Sequence, residues 1–264
     1  MKRDLYFSKP IINTAGLLGF SPDFRSLREF GSLDGFGAFI TNPISLRPRL
    51  AASHPALIEF QGGFLLHTGL PNPGFDSVLK KHAARWNRSD LPIIVHLMAD
   101  RPEETRYMMQ TLEGIENVMA AELGFAPFAS DDVILLNLEM CAGEVPLIFS
   151  LPAEKILTLG PRLLEKGAAA VSLSQPRGAL LKDGKLVTGR LCGRSQFPRA
   201  LELVHAAAKL GLSVIGAGGV WSEQDAADML SAGAMAVETD ASLWLPREAS
   251  AWDVDPSRSF DSAH

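Results

Sequence analysis

The stretch VIGAGGVWS, residues 214 to 222, ends an apolar run on Gly216, Gly218 and Gly219 and then changes to helical spacing near Ser222. A strand that stops on glycines beside a helix N-terminus offers backbone N–H groups to an anion, and a phosphate is the obvious guest. The same glycines also suit a plain strand-to-helix turn. Asp240 adds a carboxylate close behind the next apolar run, which repels an anion unless the side chain points away.

Candidate proton-transfer groups are few. His96 closes the run IIVHLM, where an imidazole at a strand end can exchange protons near neutral pH or donate to a ligand carbonyl; a histidine merely satisfied by a neighbouring carbonyl is the plainer alternative. Cys141 is a candidate base or nucleophile if a neighbour lowers its pKa, and otherwise a small apolar filler. His67 abuts the loop TGLPNPGFD. Arg177, Arg190 and Arg194 are either solvated surface charge or a cationic clamp for a substrate carboxylate or phosphate. Glu139 and Asp240 fall in no metal-ligand spacing, and HxH, CxxC and HExxH patterns are missing, so no metal site is expected.

These groups must be positioned by a chain of 264 residues that is 47% hydrophobic and 21% charged, enough for one large domain with a sizeable core. A net charge of −5 gives no electrostatic case for nucleic acid or an anionic membrane as partner. Two cysteines suit free thiols in a reducing compartment, and no apolar run approaches a membrane span, so a cytoplasmic location is expected.

Apolar, often β-branched runs recur at 10–16, 37–42, 91–98, 132–139, 145–151, 169–175, 212–219 and 234–240. Most are followed by a helical pattern, the clearest being 102–124, 152–167, 197–211 and 222–233. Continuous apolar strands alternating with helices argue a parallel sheet covered by helices, and eight units in this length predict a single (β/α)8 TIM barrel over residues 1–245. An open doubly wound sheet is the alternative, although no early GxGxxG follows the first strand. Residues 43–68 are expected to carry a small hairpin over the strand ends, and LKDGKL a second hairpin turning at Asp183 and Gly184. The tail 246–264 lacks apolar periodicity and is expected to be loosely held. A barrel places its active site at the C-terminal strand ends and often a phosphate after strands seven and eight, which strengthens the anion reading of Gly218 and Gly219.

In order and spacing, PIINTAGLLGF, GAFITNPISLRPR, HTGLPNPGFD, LLNLEMC, GRLCG and VIGAGGV resemble the soluble dihydroorotate dehydrogenases across residues 9 to about 245. The resemblance implies FMN across the strand ends, bound by Ala15, Gly16, Thr41, Asn42, Asn137 and Gly193, with its phosphate at Gly218 and Gly219. It also implies substrate near Gly69, Leu70 and Asn72, and a dimer as an expected assembly; Arg177, from the arginine cluster above, is the candidate substrate clamp. The sequence departs from the family pattern where lysines and asparagines are usual, carrying Asn42, Leu66, Ser150 and Ser174 instead, and its Cys141 stands one position late after Asn137. The resemblance thus implies an FMN-dependent oxidoreductase acting on a small anionic substrate other than dihydroorotate, with Cys141 or His96 as proton acceptor. A flavin-free lyase or isomerase using the phosphate site, and a non-catalytic barrel, are the alternatives.

Overall fold

The computed structural model describes residues 5–22 and 35–239. Asp240 and the tail from 246 onward, both singled out in the sequence, lie outside the described residues. Eight strands close a barrel in the order β1 (Ile11–Asn13), β12 (Ala236–Thr239), β11 (Val214–Gly216), β8 (Ala170–Leu173), β7 (Leu147–Leu151), β6 (Val118–Gly124), β5 (Ile93–Met98) and β2 (Phe36–Ile40). Every barrel pairing is parallel. The helices between them are α1 (Phe75–Trp86), α2 (Pro102–Leu112), α3 (Asp131–Cys141), α4 (Ala153–Glu165), α5 (Phe197–Lys209) and α6 (Glu223–Ser231). None among the described residues is long and apolar enough to cross a membrane.

The eightfold βα order agrees with the sequence reading, with one correction. Residues 132–139, expected as a strand, form α3, and the missing strand is β6, which the sequence had placed at the end of one long helix over 102–124. Two local features explain this. Ser130 accepts the Val133 N–H and so caps a helix whose first turn carries Asp131 and Asp132 against the helix dipole. Ile134, Leu135, Leu138 and Cys141 then share one buried face, a helical spacing hidden inside a continuously apolar run. Upstream, α2 stops at Leu112 and Gly114 opens the turn that leads into β6.

Both expected hairpins are present. β3 (Ala56–Phe60) pairs with β4 (Gly63–His67), and β9 (Arg177–Lys182) pairs with β10 (Lys185–Cys192) around Asp183 and Gly184, both at positive φ. β4 and β10 join them into one antiparallel sheet in the order β3-β4-β10-β9.

The barrel interior is layered. Ile12, Ile215, Ile148 and Ile94 come from alternate strands β1, β11, β7 and β5, while Ala236, Ala170, Ala120 and Ala38 come from the strands between them, and all eight are buried in one cluster. Strand period two then puts the next inward residues on top of this apolar floor. From β12, β8 and β6 these are Glu238, Ser172 and Glu122, and from β5 and β7 they are His96 and Ser150, all buried. A polar layer therefore rests on an isoleucine and alanine layer, toward the C-terminal ends of the strands.

Candidate active site

The polar layer is a connected network. His96 Nδ1 lies 2.6 Å from Glu122 Oε2, and the Ser172 hydroxyl donates to Glu122 Oε1 at 2.6 Å. Glu238 makes a further side-chain hydrogen bond to Glu122. Burial works against the charge of Glu122, but the attraction of the His96 ring when protonated and the hydrogen bonds from His96, Ser172 and Glu238 outweigh it, so its pKa is held below the ordinary glutamate value. Among the described residues no group of three or more His, Cys, Asp or Glu side chains is placed to hold a metal ion.

The ring of His96 stands upright in the barrel. Its Nδ1 is level with Glu122, while its Nε2 lies where a Cβ on Gly124, two residues nearer the C-terminal end of β6, would come within 2.4 Å. Gly124 thus keeps open the space that Nε2 occupies. The His96 side chain retains 11% exposure against 2% for Glu122, so the imidazole faces the mouth and the carboxylate faces the interior.

Around this mouth lie several of the residues that the sequence singled out. Ala15 and Gly16 follow β1, and the guanidinium of Arg190 reaches them from β10: Nη1 donates to the Ala15 carbonyl at 3.3 Å, and a Cβ on Gly16 would meet Nη1 at 2.9 Å. Thr41 accepts the His96 backbone N–H on its hydroxyl at 3.0 Å, stitching β2 to β5. Asn42 accepts the Gly19 N–H on its side chain at 3.0 Å and so holds the loop after β1. Asn72 serves as a loop hub, accepting backbone N–H groups from Ser45 and Gly74. Arg49 fixes the same loop through the Gly69 carbonyl at 2.6 Å, and Gly69 and Leu70 both adopt positive φ there. For leucine that is a sparsely populated conformation, retained because the surrounding bonds determine it.

The glycines after β11 have two separate roles. A Cβ on Gly219 would meet the Phe197 amide nitrogen at 2.5 Å, so this glycine lets the turn pack on the start of α5. A Cβ on Gly218 would meet only the Ala200 methyl, at 3.3 Å. Helix α6 does not leave its N-terminus open as expected. Ser222 accepts the Asp225 N–H, Asp225 accepts the Trp221 N–H, and Glu223 adds a second negative charge to the first turn. Such a self-capped acidic helix end is a poor anion receptor. Gly193 abuts the β3–β4 turn, where a Cβ would meet the Gly62 carbonyl oxygen at 2.4 Å.

Other sequence candidates are placed elsewhere. Asn137 and Cys141 are on α3, outside the barrel wall; Asn137 donates to the Val133 and Ala99 carbonyls, and its Oδ1 is buried without a partner. Cys141 ends α3, and a helix that leaves the C-terminal end of β6 has by then returned to the N-terminal end of the barrel. Burial pushes its thiol up to about 12, with Arg106 opposing weakly. The loop that does follow β6, Phe125 to Phe128, holds neither cysteine nor asparagine. Arg177 is exposed on β9, opposite Arg190. With both cysteines buried, native protein is expected to resist iodoacetamide at pH 8 and to react at both thiols only after unfolding, a contrast that mass spectrometry reads directly.

Sequence reasoning missed Glu122, Ser172 and Glu238. The signal was present: each glutamate interrupts an apolar run, VMAAELG and AMAVET, and a charge inside a buried strand needs partners.

A model of the dihydroorotate dehydrogenase family matches residues 3–125. The catalytic subunit of dihydroorotate dehydrogenase B (NAD(+)) from Pelobacter propionicus is 27% identical over 268 residues, covering 93% of this chain and 87% of that protein. The subunit of the same description from Trichlorobacter lovleyi is 28% identical, with 91% and 86% covered. The crystal structure of the Eimeria tenella enzyme in complex with ferulenol superposes with a TM-score of 0.72 at 15% identity, over 93% of this chain and 78% of that one, a likeness of fold. The barrel and the relatives of comparable length point the same way, and the chain is similar to the dihydroorotate dehydrogenase family.

Proposed function

We propose that the chain is an FMN-dependent oxidoreductase of the cytoplasm that removes hydrogen from a small anionic substrate other than dihydroorotate. The observation that carries this reading is the His96–Glu122 pair standing at the mouth of a barrel similar to those of this family, with the Arg190 cation beside the end of β1.

The residues present fit the cofactor. Both amide atoms of Gln175, two residues past β8, are buried and without a partner, so a ligand edge with an acceptor and a donor would satisfy them. Room for a phosphate exists at Gly218, where only a methyl group lies near the missing Cβ. Ala15, Gly16, Thr41 and Asn42 would line the ring system, and Gly193, Gly218 and Gly219 the phosphate. When bound, FMN supplies a two-electron acceptor.

The rest of the chemistry falls to this chain's own groups. Arg190 brings a positive charge to the mouth where the family pattern has lysines, suited to an anionic substrate or to negative charge developing nearby. Asn72 and Arg49 hold the Gly69–Leu70 loop beside the mouth as a substrate wall. His96 is the proton acceptor of this site, in place of Cys141. The altered substrate follows from lost donors: Leu66 packs with Cys192 in an apolar cluster, the Asn42 side-chain oxygen is committed to Gly19, and Ser150 and Ser174 stand where longer polar side chains are usual.

Fluorescence titration with FMN and a dye-reduction assay with dihydroorotate test both parts. FMN is expected to bind, and dihydroorotate to be turned over at least about a hundredfold more slowly than by an enzyme with the full donor set, since each missing transition-state donor costs on the order of a hundredfold. Absence of FMN binding sinks the oxidoreductase reading. Fast turnover of dihydroorotate sinks the altered substrate.

A further inference from the structure

We propose that Glu122 is a positioning residue: it fixes the His96 ring in the tautomer that leaves Nε2, at the open side of the barrel, ready to take a proton from a bound substrate. The inference rests on the proposed oxidoreductase only for the identity of the reaction; the tautomer itself is a property of the protein alone.

The geometry runs in one direction. An ionised carboxylate has only acceptor sites, so the 2.6 Å contact requires Nδ1 to carry the hydrogen. Neutral imidazole holds one N–H, and Nε2 is therefore the lone-pair nitrogen. That nitrogen is the one beside Gly124, two positions up the strand from Glu122 and facing the mouth. The carboxylate is itself fixed from two further strands, by the Ser172 hydroxyl of β8 and by Glu238 of β12, so it cannot turn away from the ring. From β2, Thr41 holds the His96 backbone N–H. The titratable groups facing the ring are thus Glu122 directly and Glu238 through it.

In the reaction this implies, a substrate C–H proton passes to Nε2, forming the imidazolium that Glu122 offsets, and leaves from there to solvent. FMN, when bound, would supply the acceptor for the electron pair and the second hydrogen, so the substrate loses two hydrogens and two electrons in balance. A buried carboxylate that orients the histidine and offsets its charge is the same arrangement of roles as in a Ser-His-Asp triad, here without a nucleophile.

The test is 15N NMR of the histidines in the protein as purified, for wild type, Glu122→Gln, Glu122→Asp and Gly124→Ala, with the slow single-turnover reduction of FMN-loaded protein by dihydroorotate as the second readout. Wild-type His96 is expected in the Nδ1–H form at high pH. Glu122→Gln should shift it toward the Nε2–H form and lower the reduction rate by about 10²–10⁴-fold with little change in the concentration giving half-maximal rate. Glu122→Asp should restore the tautomer and part of the rate. Gly124→Ala, whose methyl would lie 2.4 Å from Nε2, should displace the ring and slow reduction while leaving Glu122 in place, and it decides the matter if Glu122→Gln fails to fold. Wild-type His96 in the Nε2–H form overturns the proposal, as does a Glu122→Gln protein with unchanged tautomer or rate. Failure to bind FMN, by contrast, overturns the proposed function and leaves the tautomer result standing.

Discussion

Gly219→Val is expected to unfold the protein at temperatures where the wild type is fully native. Gly219 adopts φ +72, and a Cβ there lies 2.5 Å from the Phe197 amide nitrogen and 2.9 Å from its Cα, both backbone atoms at the start of α5. A β-branched residue at positive φ costs about 1–3 kcal/mol in backbone strain, and forcing two backbones apart adds about 1–3 kcal/mol more. Most small folds have only about 5–15 kcal/mol in total, so this one change removes a large share. Gly218→Ala is the informative contrast. It pays for its own φ of +103 but meets only the Ala200 methyl at 3.3 Å, so the barrel should survive while any phosphate held at this turn is weakened. Thermal denaturation ranks the two variants, and FMN titration of Gly218→Ala reads the anion site. Equal melting temperatures for Gly219→Val and wild type would show that the turn yields, and that the glycine serves a ligand and not the fold.

This pair also shows where the sequence was legible. Positive-φ glycines between a strand and a helix announce a turn, and the βα rhythm counts the barrel, because both are local patterns of period and punctuation. What the turn packs against is not local: Phe197 comes from the preceding helix, and only the fold brings it to Gly219. Misplacing the fourth strand has the same origin. The run DVILLNLE carries apolar residues on every side of a short helix, so no period distinguishes it from a buried strand, and the Ser130 cap was the deciding signal. That slip carried Asn137 and Cys141 into the candidate site, whereas their helix keeps them outside the barrel. His96 was legible because a titratable residue ended a strand. Its partners were not, since Glu122 and Glu238 are 116 positions apart in sequence and meet only when β6 and β12 face each other across the barrel.

The strongest consequence of that meeting concerns why the network is there at all. Replacing one member is expected to be severe: Glu122→Leu leaves His96, Ser172 and Glu238 without their common acceptor and should cost about 3–5 kcal/mol in urea denaturation at pH 7. Replacing all of them should not. In the combined His96→Leu, Glu122→Leu, Ser172→Ala and Glu238→Leu variant the layer becomes apolar on an apolar floor, with no charge left to desolvate, and stability should return to within about 1 kcal/mol of wild type or exceed it. The pH dependence separates the two states further. The folded pKa of Glu122 lies below its ordinary value of 4.5, so its contribution is complete above that pH and is lost as pH falls toward the lower folded value. The wild type should therefore lose stability through this range by more than the combined variant does, while the combined variant shows no substrate turnover at any pH. If the combined variant is as unstable as Glu122→Leu, the polar layer is what holds the barrel closed. If it is stable and inactive, a network that the fold does not need is kept for its chemistry, and the barrel's own apolar floor suffices to position it.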